Sequence, residues 1–173
     1  FRVKMWGSSL WVDQRKTLRP SKHMWDDMKF TDCVVCVGDE VKLPCHRAVL
    51  AAASEVFDRM LTSDMQEGRN SHIVIRNVSK DAVRHVLAHI YTGSFDGTKN
   101  NLRILQDAML LADMYELQTL QDECAQRMAA LLSKDNLAEV LRCLRDHAKS
   151  PAAVAILAEV RAKVKQEEEL FET

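Results

Sequence analysis

The stretch FTDCVVCVGDEVKLPCHRAVLAAASEVF, residues 30–57, decides the fold. Its apolar run Cys33-Val34-Val35-Cys36-Val37 is short and rich in β-branched residues, which suits a strand. Gly38-Asp39 is a two-residue turn signal, and a second run, Val41-Lys42-Leu43, follows it and stops at Pro44. Two short strands across such a turn read as a hairpin. The pattern then becomes helical, with Ala48, Val49, Ala52 and Ala53 on one stripe. Ser54 is placed to cap a second helix from Glu55. Two strands feeding an Ala-rich, buried helix describe a folding nucleus and carry no catalytic signature.

Composition bounds the rest. At 173 residues with 47% apolar content, the chain allows one domain, or one domain plus a small appendage, with a sizeable core. A net charge of -1 gives no electrostatic case for nucleic acid or an anionic membrane. No uncharged apolar run approaches the roughly 18 residues of a spanning helix. Five cysteines, an odd number without a regular framework, suit a reducing compartment, so a cytoplasmic or nuclear protein is expected. The chain begins at Phe1, which suggests a fragment.

Residues 1–19 alternate weakly at Phe1, Val3 and Met5 and carry a second apolar patch at Leu10-Trp11-Val12. They read either as the end of a preceding domain or as a strand that pairs with a partner subunit. Pro20 suits the first turn of a short helix whose stripe is Met24, Trp25 and Met28. Beyond the nucleus, Val56, Phe57, Met60 and Leu61 form a helix face, and the polar residues 62–70 read as a loop. Residues 72–76 alternate as a strand with Ile73 and Ile75 on one face, and Val74 is expected on the other face of a covered sheet. Ser79 caps a helix that Gly93 ends, and Asp96-Gly97 closes a turn. Leu102 to Tyr115 and Leu120 to Leu132 are the next helices. Ser133 is expected to cap one carrying Leu137, Val140, Leu141 and Leu144. Ser150-Pro151 starts a last helix whose apolar face is Val154, Leu157, Val160 and Val164, with a charged tail from Arg161 to Glu169.

The residues that invite chemistry read more simply as structure. Cys33-x-x-Cys36, with Cys45 and His46 downstream, has metal-like spacing. Residues three apart on a strand point to opposite faces, so the two thiols do not share one ion, and packed cysteines are expected. His85 and His89 share a helix face but lack the HExxH arrangement and a third ligand. His46 is expected to make a structural hydrogen bond. The five glycines are scattered and form no phosphate loop, and no Gly-x-Ser-x-Gly occurs. No catalytic residue, cofactor or metal is therefore expected. Asp32 and Arg47 lie at the ends of apolar elements that should pack together, where unpaired charge would be costly.

FTD before an apolar strand, CHRAVLAAASEVFDRML after it, IYTG at residues 90–93 and LLADMYELQTLQDECAQRM at 110–128 occur in one order that resembles the BTB/POZ domain. Within that family the sequence is most similar to the speckle-type POZ protein group of ubiquitin-ligase adaptors. The resemblance implies an α+β fold, a short three-stranded sheet flanked by helices. It places the BTB/POZ domain at 20–132, a 3-box-like helix pair at 133–170, and a linker or the end of a preceding domain at 1–19. It implies a homodimer that binds cullin 3 and presents a protein substrate, held by a missing neighbouring domain, to an E3 ubiquitin ligase. In cullin 3-binding relatives a hydrophobic-x-Glu motif contacts the cullin, and Met65-Gln66-Glu67 stands at that place. The resemblance adds Tyr115 and Leu117 at the helix junction lining the same surface. It puts Met24, Met28, Val49 and Ala53 at the dimer interface and pairs Asp32 with Arg47 near it. The alternative is a BTB oligomerisation module of a scaffold or transcriptional regulator that binds no cullin.

Overall fold

A computed structural model describes residues 20–38, 41–63, 71–94, 101–147 and 149–171. The expected hairpin forms: β1 (Cys33–Val37) pairs antiparallel with β2 (Val41–Cys45), with Val35 opposite Leu43. Gly38 opens the turn at φ 60, a left-handed conformation that costs glycine nothing. Space would not exclude a side chain there, since nothing lies within 4 Å of an added Cβ. On the other side of β1, β3 (His72–Ile75) runs parallel and places Ile73 opposite Val35, so the strand order is β2-β1-β3.

Alternation then sorts the side chains. Cys33, Val35, Val37, Ile73 and Ile75 face the core. Val74 corrects the expectation of a covered second face: among the described residues it is 50% exposed, while its neighbours Ile73 and Ile75 are buried.

The link from β2 to β3 is a helix pair, α1 (Pro20–Asp27) having preceded the sheet: α2 (Arg47–Ala53) and α3 (Glu55–Thr62). Ser54 separates the two with extended backbone, and its hydroxyl accepts the Phe57 N–H at 3.2 Å, the expected cap. The Ala-rich stripe of α2 is not its buried side. Leu50 is the residue α2 buries, whereas Ala48, Ala52 and Ala53 are exposed and Val49 is half-buried. A large aliphatic chain gains more from burial than an alanine, so Leu50 sets the rotation of this short helix.

α4 (Lys80–Thr92) starts and stops as its sequence dictates. The Ser79 hydroxyl accepts from the Ala82 N–H, and Gly93 closes the helix at φ 68 with its N–H on the His89 carbonyl at 2.6 Å. α5 (Leu102–Met114) and α6 (Gln118–Ala130) form a hairpin of helices that inserts Leu105, Met109, Leu120 and Met128 into the core. Asp107 of α5 reaches across to accept the Ser79 N–H at 2.9 Å, tying the start of α4 to α5.

α7 (Leu137–His147) begins at Leu137 and not at Ser133. Asn136 takes the capping role: its side-chain oxygen accepts the Ser133 N–H at 2.8 Å, its Nδ2 donates to the Leu131 carbonyl at 2.9 Å, and its own carbonyl receives the Val140 N–H. One amide side chain thus turns the chain from α6 into α7, which a serine hydroxyl is too short to do. α8 (Pro151–Phe171) is capped as expected, by the Ser150 hydroxyl on the Ala153 N–H at 3.1 Å. Of its expected face, Val160 is buried and Leu157 packs against the core, but Val154 is 47% exposed and Ala153 is buried in the first turn instead. α8 packs on α6 and α7, and the small Ala153 permits the close approach. No helix among the described residues is long and apolar enough to cross a membrane.

Candidate protein-interaction surfaces

Met65 and Glu67 lie outside the described residues, but both stems of their segment are described. At one stem α3 ends with Ser63, whose N–H donates to the Arg59 carbonyl and whose hydroxyl donates to the Met60 carbonyl, each at 3.0 Å. At the other stem Ser71 adopts φ 54 immediately before β3. Arg47 stands between the stems. Its Nη1 donates to Ser71 Oγ at 2.7 Å and its Nη2 to the Leu61 carbonyl at 2.5 Å. Asp32 meets Arg47 through the backbone: its Oδ1 accepts the Arg47 N–H at 2.7 Å. The carboxylate therefore caps the first turn of α2, a favourable place for negative charge, while the guanidinium points to the loop stems.

Tyr115 and Leu117 are placed at the α5–α6 junction but face inward, at 4% and 6% exposure. The Tyr115 ring stacks on Phe57 of α3, with centroids 4.1 Å apart and planes 16° from parallel. Its carbonyl accepts from the Ser54 hydroxyl at 2.7 Å, and burial pushes its phenol up to about 12. Glu116 between them takes φ 54. This left-handed residue turns the chain so that Met114, Glu116 and Gln118 make the outer surface of the junction. Met114, 53% exposed, was legible as the residue that falls off the Leu105-Met109-Ala112 stripe.

α1 carries the third surface. Trp25 packs its ring against Tyr91 with centroids 5.3 Å apart, which leaves Met24 and Met28 half-buried. Met28 and Phe30 both have left-handed backbone, at φ 47 and φ 60, and Phe30 is 92% exposed. His23, Met24, Asp27, Lys29 and Phe30 line an open, mainly apolar hollow. Val49 and Ala53 lie on the outer side of α2, half-buried and exposed. Phe30 was not singled out in the sequence, because an aromatic beside a strand reads as core.

Behind these surfaces the titratable groups are used up in packing. His46 Nε2 lies 2.6 Å from the Lys29 carbonyl and must donate to it, so Nδ1 accepts from the Tyr91 hydroxyl at 2.8 Å. The same hydroxyl accepts the His46 N–H at 2.8 Å, and burial pushes the Tyr91 phenol above its ordinary value. His85 and His89 are buried in α4, where His89 Nε2 lies 3.2 Å from Thr119 Oγ1 and Nδ1 lies 3.2 Å from Glu123 Oε2. Cys33 and Cys45 face one another across the hairpin in the core, and Cys36 is on the opposite face, half-buried. Burial pushes the Cys33 thiol up to about 11 and the Cys45 thiol up to about 12, and it raises Cys124 as well. Neutral thiols of this kind are poor nucleophiles and poor ligands. Among the described residues no three His, Cys, Asp or Glu side chains are grouped to hold a metal ion.

A polar cluster joins the helix pair α7–α8 to the rest. Gln121 of α6 is 2% exposed, and its Oε1 accepts the N–H groups of Lys149 and Ser150 at 3.2 and 3.0 Å. The Ser150 hydroxyl donates to Asp122. Asp113 of α5 receives the Lys149 ammonium at 2.6 Å and faces His147 Nδ1 at 3.2 Å. Spacing along the sequence gave no sign of this cluster, since its bonded partners lie 28 to 36 positions apart.

The profile of the BTB/POZ domain family matches residues 21–132. Kelch-like protein 40a of Danio rerio is 32% identical over 117 residues, which is 68% of this chain and 18% of that protein. BTB and MATH domain-containing protein 42 of Caenorhabditis elegans is 31% identical over 121 residues, 69% of this chain and 29% of that protein. The chain thus spans less than a third of the length of either relative. The solved BTB domain of zebrafish PATZ1 shares the fold, with a TM-score of 0.52 at 22% identity over 66% of this chain and 91% of that one. With the family profile matched over most of the chain and the fold shared with a solved BTB domain, this chain belongs to the BTB/POZ domain family, and it carries that family's protein-interaction module.

Proposed function

We propose that this domain forms a homodimer, binds cullin 3, and so links a substrate to an E3 ubiquitin ligase, as the speckle-type POZ protein group of adaptors does. The observation that carries the reading is the joining of its two halves. Met65-Gln66-Glu67 follows α3, and Phe57 of α3 stacks on Tyr115 at the α5–α6 junction. This tie between the helix that precedes the motif and the junction supports reading the two as one contact surface. Tyr115 and Leu117 act in it from beneath, by fixing α3 and the turn that exposes Met114 and Glu116. Met65 is the flexible, polarizable side chain suited to an apolar cleft, and Glu67 supplies hydrogen-bond acceptors.

Residues 133–170 act as a 3-box-like extension of the same surface, a reading supported by the polar cluster that holds α7 and α8 to α5 and α6. The hollow beside Met24, Met28 and Phe30 serves the dimer, together with Val49 and Ala53 of α2. A neighbouring domain carries the protein substrate, which the short span of the longer relatives supports. The adaptor works in the cytoplasm or nucleus and is not itself an enzyme.

The test is a calorimetric titration of the 173-residue chain with the N-terminal domain of cullin 3. Wild type should bind, and Met65→Ala with Glu67→Ala should weaken binding by about 30-fold, the loss expected for a buried anchor worth about 2 kcal/mol. No binding at high micromolar concentration would remove the cullin and leave an oligomerisation module. Binding unaffected by the double substitution would show the contact to lie elsewhere.

A further inference from the structure

Lys149 and Ser150, between α7 and α8, come back against the α5–α6 junction, and a cavity of about 260 Å³ lies between them. Asp113 and Glu116 line it from the junction, and Gln118 and Gln121 from α6. Gln121 points to a ligand. Its Oε1 accepts the Lys149 and Ser150 N–H groups, which only the oxygen of an amide can do, so the orientation of the amide is fixed. The other end, Nε2, meets no acceptor among the described residues, although the side chain is 2% exposed. A donor so enclosed is ordinarily met by an acceptor, and the cavity is where an acceptor can stand. The charges on the wall give the sign of the ligand. The Lys149 ammonium, on a side chain 71% exposed, lies 2.6 Å from Asp113 Oδ1, so the wall already holds one primary amine in a seat open to solvent. Glu116, set at the rim by its left-handed backbone, meets no charged or hydrogen-bonding partner among the described residues. Two carboxylates against one ammonium leave the cavity negative.

We propose that this cavity seats one basic residue of a partner protein, a lysine or arginine whose cation pairs with Glu116 and whose main-chain carbonyl accepts from Gln121 Nε2. The volume is below the roughly 300–1,000 Å³ of small-molecule sites and suits a single residue. A carboxylate side chain would satisfy Nε2 equally well, but Asp113 and Glu116 oppose its charge. A neutral residue would meet Nε2 and leave Glu116 without a counter-charge. A basic residue answers both at once, and Lys149 on Asp113 shows the same pairing within the chain. Glu116 and Gln118 also belong to the outer surface of the junction, yet the seat does not rest on the cullin 3 reading, and no cullin enters its test.

The experiment is a heteronuclear NMR titration of the 173-residue chain with small probes. Nα-acetyl-lysine methylamide carries the cation and the carbonyls, butylammonium the cation alone, and Nα-acetyl-glutamate methylamide the opposite charge. The lysine probe should shift the Gln121 side-chain NH2 signals and the Glu116, Lys149 and Ser150 amides, with a Kd of about 1–10 mM. Butylammonium should bind about fivefold more weakly and leave the Gln121 NH2 in place. Glu116→Gln should weaken the lysine probe about threefold, as loss of an exposed ion pair does. Lys149→Met vacates Asp113 and keeps the backbone N–H that Gln121 holds, so it should tighten the lysine probe. No shift up to about 50 mM would overturn the seat. An equal response to the glutamate probe would overturn its sign and make the cavity an anion site beside the N-terminus of α6, which no side chain caps. Butylammonium binding as tightly as the lysine probe would overturn the part given to Gln121. Wild-type affinity in Glu116→Gln would overturn the pairing with Glu116. Should that variant not fold, weakening in Lys149→Met would overturn the preference for a cation.

Discussion

Replacing Gln121 by leucine tests whether α7 and α8 form one cooperative unit with the BTB domain. The substitution keeps the apolar stem of a side chain that is 2% exposed and removes the oxygen that accepts two backbone N–H groups. Each lost hydrogen bond costs about 1 kcal/mol, and a buried N–H left without a partner costs about 1–3 kcal/mol. The Ser150 N–H is buried and the Lys149 N–H is only partly so, which puts the loss at about 3 kcal/mol in all. Against it stands the apolar docking of the helix pair. Val140, Leu144 and Val160 are at most 4% exposed, and burial of three such chains is worth roughly 5–8 kcal/mol. Docking therefore survives, and the variant should unfold in a single transition at a lower temperature. At about 2–4 °C per kcal/mol for a domain of this size the shift is roughly 6–12 °C. Scanning calorimetry measures it, with tryptic cleavage at the exposed Lys149 as a second readout. A shift under about 1 °C would refute the accounting for Gln121. Two separate transitions in the wild type would refute the single unit.

Tyr91→Phe removes the hydroxyl that serves both the His46 N–H and its Nδ1, so about 2–4 kcal/mol should be lost in urea titration even though every apolar contact is kept. Met24→Asp with Val49→Lys should give a folded monomer, checked by light scattering beside circular dichroism; a wild type already monomeric at high micromolar concentration would remove the interface. The raised thiols set a pH dependence. Cys33 and Cys45 stay protonated in the fold up to about 11 and about 12, whereas in the unfolded chain thiols ionise near ~8.5, so their contribution is whole below that pH and is lost as pH climbs through the folded values. Stability by denaturant titration should fall between pH ~9 and pH ~11 in wild type and less in Cys33→Val with Cys45→Val. Native-state alkylation at pH ~8 should spare both residues, and rapid labelling of either would contradict their placement.

What the sequence announced was whatever a local rule determines. The Ser54 and Ser79 caps, the Gly93 stop and the Ser150-Pro151 start each depend on a few neighbouring residues, and all stand in the structure. β1 and β2 were legible because a turn joins them. The expectations that failed concern which side of an element meets the body. Val74 and Val154 are apolar yet half exposed, and the α2 alanines turn outward, because rotation is decided by the largest neighbour and not by the count of apolar residues. Asn136 displaced Ser133 because the reach needed to close that turn depends on where α6 ends. At the candidate site, the motif and the junction were found by resemblance. The inward pose of Tyr115 and Leu117, and the arginine bridging the stems, depend on approaches between distant segments that no spacing encodes.

The central place of β1 also governs how this chain goes wrong. Its antiparallel neighbour is a few residues away, but its parallel neighbour lies 38 positions on, from Val34 to His72, beyond both crossover helices. During synthesis the hairpin can close early, and until β3 arrives one edge of Cys-Val-Val-Cys-Val remains unpaired. Such a segment, β-prone, uncharged and free of proline, is a template for pairing between chains. Substitutions that slow or loosen α2 and α3 prolong that exposure, so their phenotype should be loss to aggregates at the ribosome or on refolding, rising with protein concentration, before any loss of partner affinity is seen.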